Sequence, residues 1–240
     1  MSLETIFLAD QRVDYQLKRS HRRTIGFSVS EKGLAVTAPH FVSKREVEAA
    51  LCRKSDWILK KLAKWAERPA APELAFVDGE TLPWLGAERE LRVRRDGVRT
   101  RVVATGGGLE VRVDPELSGD LLKSTIRNGL VRFYKREGLR LMDPMTRRHA
   151  RSLDRDVRKV IVREQKSRWG SCAADGTIRL NWRLMGFPQE VIDYVCAHEA
   201  AHLVHANHSR AFWETVEKVC PDWRIQRDYL KTNSYVHVYF

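Results

Sequence analysis

Four of the chain's eight histidines fall within the eleven residues from His198 to His208, in the stretch HEAAHLVHANHSRAFW that runs on to Trp213. His198 and His202 are four apart, so on a helix their rings leave the same face one turn apart and reach a single metal ion. Glu199 stands between them in an HExxH pattern, in which two imidazoles hold zinc and the glutamate serves as general base. The apolar run of Val191, Ile192, Val195 and Cys196 just upstream buries this helix. Burying several imidazoles and a carboxylate without a cation is costly, so the cluster predicts a metal site rather than a helix that happens to be rich in histidine.

A catalytic zinc takes a third protein ligand and keeps one position open. His205 lies on the same face, but about 10 Å along the axis from His198, too far for one ion if the helix continues. His208 needs the chain to turn at Ala206-Asn207; Asn tolerates the left-handed conformation that ends helices, and the same turn places Ser209 to cap the next helix. Glu217 lies on that next helix, whose Phe212, Trp213, Val216 and Val219 face the core and turn Glu214, Glu217 and Lys218 towards water. Cys52, Cys172, Cys196 and Cys220 form no CxxC pair, so the histidines are the one metal site expected, with one zinc per chain, and the cysteines read as reduced and buried.

Zinc on three neutral imidazoles lowers the pKa of its water towards ~7 and polarises a carbonyl or phosphoryl oxygen. Glu199 takes the proton and passes it to the leaving group. Asp193 and Asp222 are candidates to orient an imidazole. In the loop QKSRWGSC, Lys166 and Arg168 are candidates to bind an anionic substrate or stabilise an oxyanion. Asn181 is a further candidate for substrate binding, the strand Thr177–Asn181 is placed to pair with an extended peptide, and Trp169 reads as core.

The elements that must position these residues form a mixed α+β chain. Short strands are expected at Thr24–Val29 and Leu34–Pro39 around a turn at Lys32-Gly33. A helix follows from a capping box of Ser43 with Glu46 to about Glu67, with Val47, Leu51, Ile58, Leu62 and Trp65 at helical spacing. ERPAAPE breaks it, and strands return with a hairpin signal at Asp78-Gly79 and a turn at Gly106–Gly108. A second helix is expected from Leu121 to about Met142, ended or kinked by Pro144. Val157–Glu164 and Gly176–Trp182 read as strands, and Pro188 opens the helix that carries the histidines.

At 240 residues, 43% hydrophobic and with seven Trp, the chain has the composition of a folded protein. The opening MSLETIFLAD lacks the basic and apolar regions of a signal peptide, and no apolar run is long enough to span a membrane, so a cytoplasmic, membrane-free protein is expected. The net charge is +12, with 29 Lys and Arg against 20 Asp and Glu in residues 1–150. That basic front half could attract nucleic acid, nucleotides or anionic substrates.

The run QKSRWGSC, GTIRLNW, IDYVCAHEAAHL and NHSRAFW resembles the YgjP-like metallopeptidase family, relatives of the SprT-like zinc proteases, and RSHRRTIGFSV, LAVTAP, WILKKL and DGETLPWLG extend the resemblance over nearly the whole chain. It implies zinc on His198, His202 and His208 with Glu199 as catalytic base. The turn-forming Gly of the related metzincin spacing is replaced here by His205. The fold implied is α+β: a β-rich N-terminal domain with one long helix (1–115), a helical connector (116–152) and a minimal zincin-like domain of short sheet, HExxH helix and following helices (153–240). The function expected is a zinc metallopeptidase acting on peptide or protein. The alternatives are a nucleoside triphosphate pyrophosphohydrolase on the same site, an activity the resemblance also implies, and a DNA-associated protease recruited by the basic front half.

Overall fold

The computed structural model describes residues 2–30, 33–67, 74–165 and 168–233. The expected turn at Lys32-Gly33, the ERPAAPE break and Lys166 fall wholly or partly outside them. The chain forms two compact units, residues 1–70 and 71–240.

In the first unit, β1 (Ser2–Leu8), β2 (Gln11–Ser20), β3 (Gly26–Ser30) and β4 (Gly33–Pro39) form one sheet in the order β1-β2-β4-β3, with β2 and β4 parallel. Alternation puts Val13, Tyr15 and Leu17 of β2 and Leu34, Val36 and Ala38 of β4 on one buried face. Two helices supply Val47, Leu51 and Ile58 to the same core. The capping box forms as expected: Ser43 Oγ accepts from Glu46 N while Glu46 accepts from Ser43 N. The helix does not run unbroken to Glu67. It divides into α1 (Lys44–Cys52) and α2 (Ser55–Ala66) at Arg53-Lys54, where Lys54 N bonds to Leu51 O in a tightened last turn. Leu51 and Ile58 are both fully buried on either side of the break.

In the second unit, β5 (Thr81–Trp84), β6 (Ala87–Arg94), β7 (Arg101–Thr105) and β8 (Gly108–Arg112) form a sheet ordered β5-β6-β8-β7. The hairpin turn is Leu85-Gly86, both at positive φ, rather than Asp78-Gly79. Asp78-Gly79 instead brace the sheet: Asp78 Oδ1 accepts from Val93 N, and Gly79 N donates to Leu91 O. Helix α3 (Gly119–Arg151) continues past Pro144 for two further turns. Met142, Met145, Thr146, His149 and Ala150 are buried around the proline, so packing holds a helix that local propensity would end.

Beyond α3, β9 (Lys159–Arg163), β10 (Gly170–Cys172) and β11 (Thr177–Asn181) form a sheet ordered β10-β11-β9. A 3-10 turn (Trp182–Gly186) leads to α4 (Gln189–Ala201), α5 (Arg210–Val219) and α6 (Trp223–Asn233). One apolar core runs from Leu74 through α3 and β11 to Leu230 and takes in Val191, Ile192, Val195 and Cys196 of α4.

Candidate metal centre

Helix α4 ends at Ala201, earlier than the histidine periodicity suggests, and the chain winds on through bonds from Leu203 N to Ala200 O and from Val204 N and His205 N to Ala201 O. No residue from 202 to 208 has a left-handed backbone, so His205 is tolerated where the metzincin spacing has a glycine, and Asn207 turns the chain without a positive φ. Asn207 Oδ1 accepts from Ser209 N, and Ser209, at the N-cap of α5, makes no side-chain cap bond of its own.

This path carries His208 back over α4. His198, His202 and His208 offer ring nitrogens that all lie within 4.8 Å of one another. Phe212 of α5, fully buried, packs among the rings, with centroids 4.9 Å from His198, 4.5 Å from His202 and 4.8 Å from His208. His205 does not join with its ring. Its carbonyl does, accepting from His202 Nδ1 at 2.9 Å, which leaves Nε2 of His202 as the free lone pair. Glu217 lies apart, paired with Arg224 at 2.6 Å.

The cluster fits a zinc ion. Nε2 of His198 and Nε2 of His208 stand 3.1 Å apart, close to the ~3.3 Å between two imidazole nitrogens on one tetrahedral zinc. Burial, with the neighbouring His202 and His208 adding to it, lowers the His198 pKa to about 3, and burial also lowers that of His202. Both rings are therefore neutral and ligand-competent at neutral pH. Glu199, 5% exposed, has its pKa pushed up to about 8 by burial, with Arg168 pulling the other way. Its Oε2 is buried with no hydrogen-bond partner among the described residues, as expected of a carboxylate kept for a reacting group.

A cavity of 570 Å³ opens on these residues, lined by His198, Glu199, His202 and His208 from one side and by Arg168 and the Trp169–Ala174 segment from the other. Of the sequence-derived substrate residues, Arg168 lines it, and Lys166 lies outside the described residues. Asn181 does not line it: its amide donates to Gln165 O and Arg168 O, and its Oδ1 accepts from Arg183 N, so it holds the loop's ends rather than a substrate. Trp169 packs against the core, edge-on to Phe187, while also forming cavity wall. β11 lies between β10 and β9 and has no free edge for a peptide; the sheet edge at the cavity is β10. Asp193 does orient an imidazole, but that of buried His149, at 2.9 Å, shared with Arg148 at 2.6 Å. Asp222 is exposed.

Sequence reasoning missed three contributors: Phe212 as the packing partner of the three histidines, the His205 carbonyl, and Gly170. A Cβ on Gly170 would fall 2.6 Å from Cγ and Cδ of Glu199, so the bare backbone of β10 makes the carboxyl's room. Only Phe212 carried a signal, lying four residues after His208 on the helix that His208 precedes.

Among solved structures, the metallopeptidase zymogen abylysin of Pyrococcus abyssi matches with 26% identity over 38% of this chain and 93% of its own, at a TM-score of 0.36. No curated protein matches. A family profile, the YgjP-like metallopeptidase domain, matches residues 23–233 and so takes in both the histidine cluster and the loop that faces it. The chain belongs to the YgjP-like metallopeptidase family.

Proposed function

We propose that the chain is a zinc-dependent peptidase of the HExxH type, with one zinc held by His198, His202 and His208 and with Glu199 as general base. The observation that carries this reading is the convergence, in one cavity, of three imidazoles and a buried carboxyl whose Oε2 has no hydrogen-bond partner among the described residues. When bound, zinc supplies Lewis acidity that polarises a carbonyl and acidifies water. The remaining work falls to the chain. Glu199, whose pKa burial raises to about 8 in the metal-free chain, is placed both to accept a proton from water and to return it to a leaving amine. Arg168 at the cavity rim favours the ionised carboxylate and offers a cation to a substrate carbonyl or carboxylate. β10, paired among the described residues with β11 alone, offers backbone groups along its free edge to an extended peptide laid across the cavity.

The test is turnover of an unstructured protein such as casein by zinc-loaded chain, beside nucleoside triphosphates offered to the same preparation. Proteolysis that falls 10²-fold or more in Glu199→Gln with zinc retained is expected. Undiminished proteolysis in zinc-bearing Glu199→Gln, or turnover of triphosphates alone, refutes the proposal.

A further inference from the structure

The first unit carries a second cluster of side chains that the peptidase reading leaves unused. β2 and β4 are parallel neighbours with Ser20 opposite Pro39, so the chain leaves both strands at the same end of the sheet. The next residues, His21 and His40, therefore meet, with ring centroids 5.0 Å apart. Arg22 and Arg23 follow the one and Phe41 the other. All five side chains are exposed, Phe41 to 79%.

The arrangement is built rather than incidental. Arg19 Nη1 donates to Pro39 O at 2.9 Å and to Val42 O at 2.5 Å, pinning the loop that presents His40 and Phe41. Arg22 lies over Gly26, where a Cβ would come within 2.8 Å of Nη2, and donates to Thr24 Oγ1. Among the described residues no carboxylate pairs with Arg22 or Arg23. The unit as a whole has 14 Lys and Arg against 8 Asp and Glu.

Unpaired guanidinium groups meet phosphates, and their planes, like imidazole and phenyl rings, are surfaces on which unstacked bases lie. A duplex shows only base edges in its grooves and gives an exposed phenyl ring no face to stack on, so this combination favours a single strand. We propose that this end of the first unit binds a single-stranded nucleic-acid segment, with Phe41 stacking on a base and Arg22 and Arg23 contacting phosphates. The proposal does not rest on the peptidase reading.

The test is fluorescence anisotropy of a labelled single-stranded oligonucleotide with the full chain across a salt series. Wild-type binding should weaken as salt rises, and Arg22→Gln with Arg23→Gln should lower the log–log salt slope by about 0.7 for each phosphate no longer neutralised. Phe41→Ala should lose about fivefold or more in affinity with its salt slope unchanged, as loss of a stacked base requires. Arg99→Gln, an exposed arginine of the second unit, should leave binding near wild type. Phe41 is exposed enough for its truncation to spare folding, so this arm stands even if the double variant does not fold. The proposal is overturned by no binding at low salt, by an equal loss in Arg99→Gln, by full affinity in Phe41→Ala, or by preference for anionic phospholipid vesicles over the oligonucleotide.

Discussion

On the proposed mechanism, replacing Gly170 with alanine should disable Glu199 as the base without touching the three histidines. The new Cβ would lie 2.6 Å from Cγ and Cδ of Glu199 and closer still to Oε1. Non-bonded carbon atoms sit at ~3.5–4.0 Å, so the Glu199 side chain has to shift by about 1 Å. Gly170 does not need a left-handed backbone, so the closest contacts of the new Cβ, all with Glu199, set the perturbation of the folded state. Glu199 is 5% exposed, so its one direction of retreat is into the cavity it lines, away from its present position. The overpacking should cost ~1–3 kcal/mol of stability. Removing a general base from its reach should lower kcat ~10²–10⁴-fold with KM little changed. None of the atoms nearest the new Cβ belongs to a histidine, so zinc should stay stoichiometric. The assay is a double-mutant cycle with Glu199→Ala, reading Tm by calorimetry and zinc by elemental analysis. In Glu199→Ala the vacated volume should accept the extra methyl, and Gly170→Ala should then cost almost no Tm. Wild-type turnover in Gly170→Ala, or the same Tm loss in both backgrounds, would show that the two residues are not coupled.

Zinc affinity in a competition titration should collapse in His208→Ala and barely change in His205→Ala, which contributes a backbone carbonyl, or in Glu217→Ala, which only frees Arg224; the reverse ranking would reassign the third ligand. In the metal-free chain, the Glu199 pKa rises from 4.5 to about 8 on folding, so its contribution to stability is present below about pH 4.5 and lost as pH rises through 8, at up to ~1.4 kcal/mol per pH unit. Metal-free Glu199→Gln should therefore gain on wild type in Tm between those limits, and a difference independent of pH would refute the buried-acid account. Asp193→Ala should strand the buried His149 ring and cost ~1–3 kcal/mol, a Tm loss of several degrees, with zinc binding kept; an unchanged Tm would show that the bond contributes nothing.

Much of the site was legible because it is written in local periodicity. His198 and His202 share a helical face at a spacing that any α-helix converts into proximity, and Glu199 comes with them. The capping box at Ser43 and Glu46 is equally local and forms as read. His208 could be reached by asking only where the chain is able to turn. The elements misread are those where distant packing outweighs local preference. Pro144 does not stop α3, because its neighbours are buried, and the helix expected through Glu67 breaks at Arg53-Lys54 between two buried core residues. Leu85 adopts a positive φ that no leucine signals in sequence.

By itself, the sequence determined the chemistry on offer: three imidazoles, one carboxylate and their order along the chain. Those depend on residue types and on helical geometry that spans a few residues. Only the tertiary structure decided which strand borders the cavity, that Asn181 holds a loop instead of a substrate, that Gly170 makes room for Glu199, and that residues 71–240 share one compact unit. Each of these is a relation between segments far apart in the chain. It is fixed by which surfaces bury one another, and no window of sequence contains both partners.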